Sequence, residues 1–125
     1  MSDETSVLPS PSRLIHEPAR LAILAVLSSC VAADFVFLQK VTRLSKGNLS
    51  VQLTNLEQAG LVVIRKEIID KKTRTTVSLS KRGTSELADY WKTMDAIRAH
   101  IAREKKHRAS ERNAPHPELS PEPAT

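Results

Sequence analysis

The chain has 125 residues, 40% hydrophobic and 26% charged, with 19 Lys and Arg against 14 Asp and Glu for a net charge of +5. That length holds one domain, and a single cysteine excludes an intrachain disulfide framework. No stretch reads as a signal peptide or a membrane span, since the apolar run from Leu21 to Leu27 is short, so a cytoplasmic location without a membrane partner is expected.

Both ends are rich in Pro, Ser, Glu and Ala. They read as disordered tails over 1–12 and 108–125, flanking a folded domain over 13–107. Within it, Pro18 opens a periodic segment in which Leu21, Ile23, Leu24, Val26 and Leu27 recur, predicting a largely buried helix over about 18–29. Cys30–Ala33 reads as a short extended connection able to pair as a minor strand, with Cys30 as a small apolar residue. Asp34 caps a second helix whose inward stripe is Phe35, Leu38 and Val41 and which ends near Thr42. Only Arg43 and Leu44 then separate it from the next cap, Ser45, which is helix-turn-helix spacing.

After Ser45, Leu49, Leu53 and Leu56 recur along one stripe and must be core. The opposite surface carries Gly47, Asn48, Ser50, Val51, Thr54 and Asn55 in place of the Glu and Lys of an ordinary solvated helix. Short hydrogen-bonding side chains suit close approach to base-pair edges in a major groove. Gly60 supplies a C-cap, and Leu61–Ile69 turns β-branched and strand-like. Asp70–Arg74 is a charged tip, and Thr75–Ser80 is a second strand with Val77 and Leu79 on one face.

Ser80 caps a final helix running to about Lys106, on which Leu87, Tyr90, Met94, Ile97 and Ile101 are spaced three, four, three and four apart. That stripe could pack within the chain. At about 26 residues, however, the helix is about 39 Å long and overhangs so small a domain. A homodimer seam through Leu87, Tyr90, Trp91, Met94, Ile97 and Ile101 is therefore expected, setting two reading helices on successive major-groove faces of a near-palindromic site.

Charge is concentrated on the middle of the chain. Residues 40–82 hold ten Lys and Arg against three Asp and Glu, a net of +7, which favours a polyanionic partner. The order helix, short strand, helix, tight turn, helix, hairpin, helix gives a mainly α fold with a small β-hairpin wing. That is a winged helix-turn-helix with a long C-terminal dimerisation helix.

The local motifs also resemble the small winged-helix transcriptional regulators of the MarR/ArsR-like superfamily over about residues 15–92. They are Pro18-Ala-Arg-Leu-Ala-Ile-Leu, Ala33-Asp-Phe-Val-Phe-Leu, Leu44-Ser-Lys-Gly-Asn-Leu-Ser-Val-Gln-Leu, Leu56-Glu-Gln-Ala-Gly-Leu-Val, Arg74-Thr-Thr and Leu79-Ser-Lys-Arg-Gly. The resemblance implies a transcriptional repressor that occupies a promoter, and it leaves open a small-molecule effector of unidentified kind. Metal-sensing relatives use clusters of Cys and His. With Cys30 as the one cysteine, a thiolate metal sensor is not expected, and neither is a cofactor.

The DNA-contacting set expected from these readings is Ser45, Lys46, Gly47, Asn48, Ser50, Val51, Thr54, Asn55, Lys71, Lys72 and Arg74. Ser45 and Lys46 would place first-turn amides and a charge near a phosphate. Gly47, costly in a helix by about 1 kcal/mol, suggests that a side chain would obstruct the DNA backbone or the second helix, the alternative being a tolerated surface glycine. Lys71, Lys72 and Arg74 would touch phosphates or enter a flanking minor groove, unless they serve only to blunt a sheet edge. Enzymatic readings lack support, because His16, His100, His107 and His116 form no local cluster and no phosphate-cradling loop or nucleophile elbow occurs. The competing reading is a winged-helix protein-interaction module without sequence-specific DNA binding.

Overall fold

A computed structural model describes residues 8–113. Its elements run α1 (Pro18–Leu27), β1 (Ala33–Asp34), α2 (Phe35–Thr42), α3 (Lys46–Gln58), β2 (Val62–Ile69), β3 (Lys72–Leu79) and α4 (Lys81–Asn113). Residues 10–94 form one compact body, and 95 onward, the remainder of α4, belongs to a second unit.

Each helix of the first body starts on a side chain suited to the task. Glu17 caps α1 by accepting from the Arg20 amide at 2.8 Å, Asp34 caps α2 through the Phe37 amide at 2.7 Å, and Ser45 caps α3 through the Asn48 amide at 3.0 Å. α2 ends on Arg43 with φ 61, a left-handed residue that turns the chain at once toward α3. α3 ends in a Schellman arrangement: Gly60, at φ 80, donates to the Glu57 carbonyl at 2.9 Å, and Leu61 donates to the Leu56 carbonyl at 3.0 Å. Leu56 and Leu61 are both fully buried, closing the hydrophobic contact that accompanies this motif.

The core is built from Ile15, Ile23, Leu24, Leu27, Leu38, Leu49, Leu53, Leu56, Leu61, Val62, Val77, Leu87 and Tyr90, with Ala33. The expected inward stripe of α2 needs one correction. Leu38 is buried and Phe35 packs against the core, but Val41 is 48% exposed. Each three-residue step falls about 60° short of a full turn, so the second step carries Val41 off the buried side.

The sheet is antiparallel in the order β1-β3-β2. The minor strand lies at Ala33–Asp34, at the end of the expected extended connection, pairing Ala33 with Val77 and Asp34 with Thr76. β2 and β3 pair from Val62 opposite Leu79 to Ile69 opposite Lys72. Only Asp70 and Lys71 remain for the turn, and both are left-handed, at φ 52 and 66, the pattern of a type I′ hairpin.

Ser80 joins α3, the sheet and α4. Its hydroxyl donates to the Gly60 carbonyl at 2.6 Å and accepts from the Gly83 amide at 2.9 Å, and its own amide donates to Leu61 at 3.0 Å. Gly83 sits so close to this joint that a Cβ there would collide with the Leu61 carbonyl oxygen.

α4 continues to Asn113, beyond the expected end near Lys106. Arg108, Ala109, Glu111 and Arg112 are tolerant of helix, a His107–Glu111 contact of 2.9 Å spans one turn, and the first proline comes only at 115. The remaining parts of the two expected tails, 1–7 and 114–125, lie outside the described residues.

Candidate nucleic-acid interface

α3 presents its leucine stripe inward and a surface of mostly short side chains outward. Leu49, Leu53 and Leu56 are buried, whereas Ser45, Lys46, Gly47, Asn48, Ser50, Val51, Thr54 and Asn55 are all exposed, Val51 at 56%. By helical rotation, Gly47 and Val51 lie on the crest farthest from the core, with the other exposed residues divided between two flanks. On one flank Lys46, Ser50, Thr54 and Glu57 border a cleft of about 760 Å³ whose far wall includes Lys66 and Thr75 of the sheet. The other flank, with Asn48 and Gln52, is tied to α1.

That tie is a chain of three side chains. Arg20 donates from Nε to the Leu14 carbonyl at 2.6 Å and from Nη1 to Gln52 Oε1 at 3.1 Å, and Gln52 Nε2 donates to Asn48 Oδ1 at 3.1 Å. Neither Arg20 nor Gln52 stood out in the sequence. The one local signal was the four-residue spacing of Asn48 and Gln52, at which amide side chains meet on a helix.

One reading of Gly47 falls away. A Cβ there meets nothing within 4 Å, so the glycine is not required by packing against α2. The space it leaves opens away from the protein.

The wing departs from the expected tip in its distribution of charge. Lys71 occupies the turn itself, but Lys72 is already paired in β3, and Arg74 lies within the strand directly opposite Glu67. The Arg74 guanidinium also donates to Asp34 Oδ2 at 3.3 Å. It thereby links the wing to the residue that caps α2. The hydrogen bond from the Phe37 amide, reinforced by Arg74, holds the Asp34 carboxyl below its ordinary range. The cations nearest the apex are thus Lys71 and Lys72, while Arg74 faces carboxylates on two sides.

The residues expected at a dimer seam do not share one environment. Leu87 and Tyr90 are 3% exposed within their own chain, and the Tyr90 hydroxyl is 2.9 Å from His16 Nδ1. This corrects their assignment to a partner surface: both are core. Met94 packs against that core, whereas Trp91 is 45% and Ile101 55% exposed and Ile97 is half-buried. His16 reaches Tyr90 from before α1, and Leu87 and Tyr90 both join the core cluster that holds Ile15, Leu27 and Val77.

A helix-turn-helix followed by a two-residue-turn hairpin defines the winged-helix class of DNA-binding proteins. The chain belongs to the winged helix DNA-binding domain family, whose model matches residues 19–97. It is similar to an uncharacterized protein of Methanocaldococcus jannaschii, 27% identical over 78 residues covering 62% of this chain and 85% of that protein. Among solved structures it is similar to a transcriptional regulator homologue from Pyrococcus horikoshii OT3, with 32% identity, a TM-score of 0.69, and 72% of this chain and 89% of that chain covered. It also shares its fold with a MarR-family regulator from Silicibacter pomeroyi, at 24% identity and a TM-score of 0.55, covering 80% of this chain and 70% of that one. The long C-terminal helix and three-stranded wing accompany the same helix-turn-helix, and the chain is a DNA-binding regulator by family.

Proposed function

We propose that the chain is a sequence-specific transcriptional regulator that binds double-stranded DNA as a homodimer, reading a near-palindromic site with residues 45–59 and holding the flanking backbone with the wing at 70–75. The observation that carries this reading is the exposed, nearly uncharged face of α3, bordered by Lys46 and Lys66 and followed by a cationic hairpin. Uncharged short side chains suit base edges, and lysines suit phosphates. The lysines set affinity and the α3 face sets sequence.

Occupying a promoter would exclude polymerase, which makes repression the expected outcome. The second copy would be recruited through apolar residues of α4, the exposed Trp91 and Ile101 with the half-buried Ile97 between them. A small-molecule effector is part of the proposal by analogy with Bordetella bronchiseptica BpsR, whose DNA binding is regulated by 6-hydroxynicotinic acid and whose structure shares this fold at 16% identity and a TM-score of 0.56.

Polarisation titration of the full chain against genomic fragments at two salt concentrations tests the DNA reading. Preference for one fragment at both salts is expected. Equal binding of every fragment would overturn it in favour of a protein-interaction module. Sedimentation equilibrium tests the dimer: wild type should sediment as a dimer and Ile101→Asp as a monomer, and a monomeric wild type would refute the seam.

A further inference from the structure

The three-residue chain joining α1 to the exposed face of α3 has a direction, and that direction reaches the candidate DNA surface. A guanidinium carries donors only. Arg20 must therefore meet the oxygen end of the Gln52 amide, as it does at 3.1 Å. The NH₂ end of Gln52 is then turned toward Asn48, and because that nitrogen has no acceptor capacity, Asn48 must present its oxygen to it, again at 3.1 Å. The polarity of two otherwise ambiguous amides is thus dictated by one residue that cannot reverse.

Arg20 is itself well held. Its Nε donates to the Leu14 carbonyl at 2.6 Å and its amide to Glu17 at 2.8 Å, and both Arg20 and Gln52 are half-buried. Asn48, at the end of the chain, is exposed in the first turn of α3, where recognition helices touch bases. Its oxygen is engaged by Gln52 and both its N–H donors are left for a ligand.

We infer that Arg20 and Gln52 are specificity-setting positioning residues, which lock the Asn48 amide so that it offers its NH₂ group to an acceptor in the groove, O6 or N7 of guanine, O4 of thymine or N7 of adenine, and disfavours cytosine, whose edge carries only a donor. The inference rests on the proposed reading of DNA by α3 and adds to it the polarity of one contact. Without the lock, Asn48 could offer either end, and the base pair it meets would be read ambiguously.

Gln52→Glu tests this with little change of shape. The carboxylate still accepts from Arg20 but has nothing to donate, so Asn48 must turn its NH₂ inward and expose its oxygen. Selection from a randomised duplex library with the full chain, followed by titration of single-base variants of the selected site, gives the readout. Asn48→Ala first identifies the base pair concerned, as the position whose preference flattens. At that pair Gln52→Glu is expected to shift preference by about tenfold toward cytosine, the base whose groove edge carries only a donor, and Gln52→Leu is expected to flatten it. Preferences at the other positions should stay as in wild type. An unchanged preference at that pair with Gln52→Glu, or an equal loss at every position, would overturn the inference while leaving the DNA reading intact. Failure of the wild-type chain to select any site would instead remove the DNA reading, and this inference with it.

Discussion

The exposed face of α3 and the wing are neighbouring surfaces with opposite designs. Between Ser45 and Asn55, α3 exposes one lysine among short uncharged groups, and one of these, Asn48, is wired through Gln52 to a different helix. Between Arg65 and Arg74 the wing carries five cations against Glu67 and Asp70, on a hairpin whose turn consists of two left-handed non-glycine residues. A surface meant to discriminate needs side chains held in one orientation, whereas one meant to grip a polyanion needs charge, which acts over about 10 Å without fixed geometry. On the proposed DNA reading, the contrast would give each surface its own signature in binding: sequence preference for α3, salt dependence for the wing.

The largest expected effect erases the contrast altogether. Leu53→Asp places a charge among buried leucines and should abolish the cooperative thermal transition followed by circular dichroism, taking both surfaces with it. A folded, DNA-binding Leu53→Asp protein would show that α3 is not held as described. Gly83→Ala should be next, costing about 1–3 kcal/mol in denaturant titration, because the added methyl displaces the joint between α4 and Leu61.

Gly47→Ala separates folding from reading on α3. With open space around it, the alanine should raise stability by about 1 kcal/mol while weakening specific binding, the reverse of a packing glycine. Unchanged affinity would mean that nothing approaches the crest at that point. On the wing, Lys71→Gly relieves a left-handed non-glycine residue and removes a charge. Melting should be unaffected or improved, affinity should fall alike for all sequences, and the slope of log affinity against log salt should flatten by about one. A change confined to one base pair would overturn the division between the two surfaces.

The smallest effect concerns Asp34. Its folded carboxyl is held below the ordinary value of 3.8, chiefly by the Phe37 amide and then by Arg74. Its contribution is therefore complete above that value and lost as pH falls through the lowered one. Asp34→Asn should narrow the difference in stability between neutral pH and pH 3 relative to wild type, measured by denaturant titration.

Much of this architecture is local and could be read along the chain. The caps Asp34, Ser45 and Ser80, the leucine stripe of α3 and the glycine at its end depend on neighbours within a few residues, so their spacing alone defines them. The candidate face followed from the same periodicity: once Leu49, Leu53 and Leu56 face inward, the residues between them must face out.

Decisions taken between distant segments were not written in any local pattern. Leu87 and Tyr90 have the spacing of a dimer seam, yet both lie in the core of their own chain, where His16, more than seventy residues away in sequence, reaches the Tyr90 hydroxyl. Arg74 reads as a cation at a hairpin tip until the register sets it opposite Glu67 and within reach of Asp34. The hydrogen-bond direction from Arg20 to Gln52 to Asn48 arises only when α1 packs on α3, across 32 residues of chain. Sequence by itself determined which elements form and which face of each is apolar, because periodicity and capping are short-range. Tertiary structure alone decided which exposed groups are free and which are held, because that depends on which side chains the fold brings within hydrogen-bonding distance.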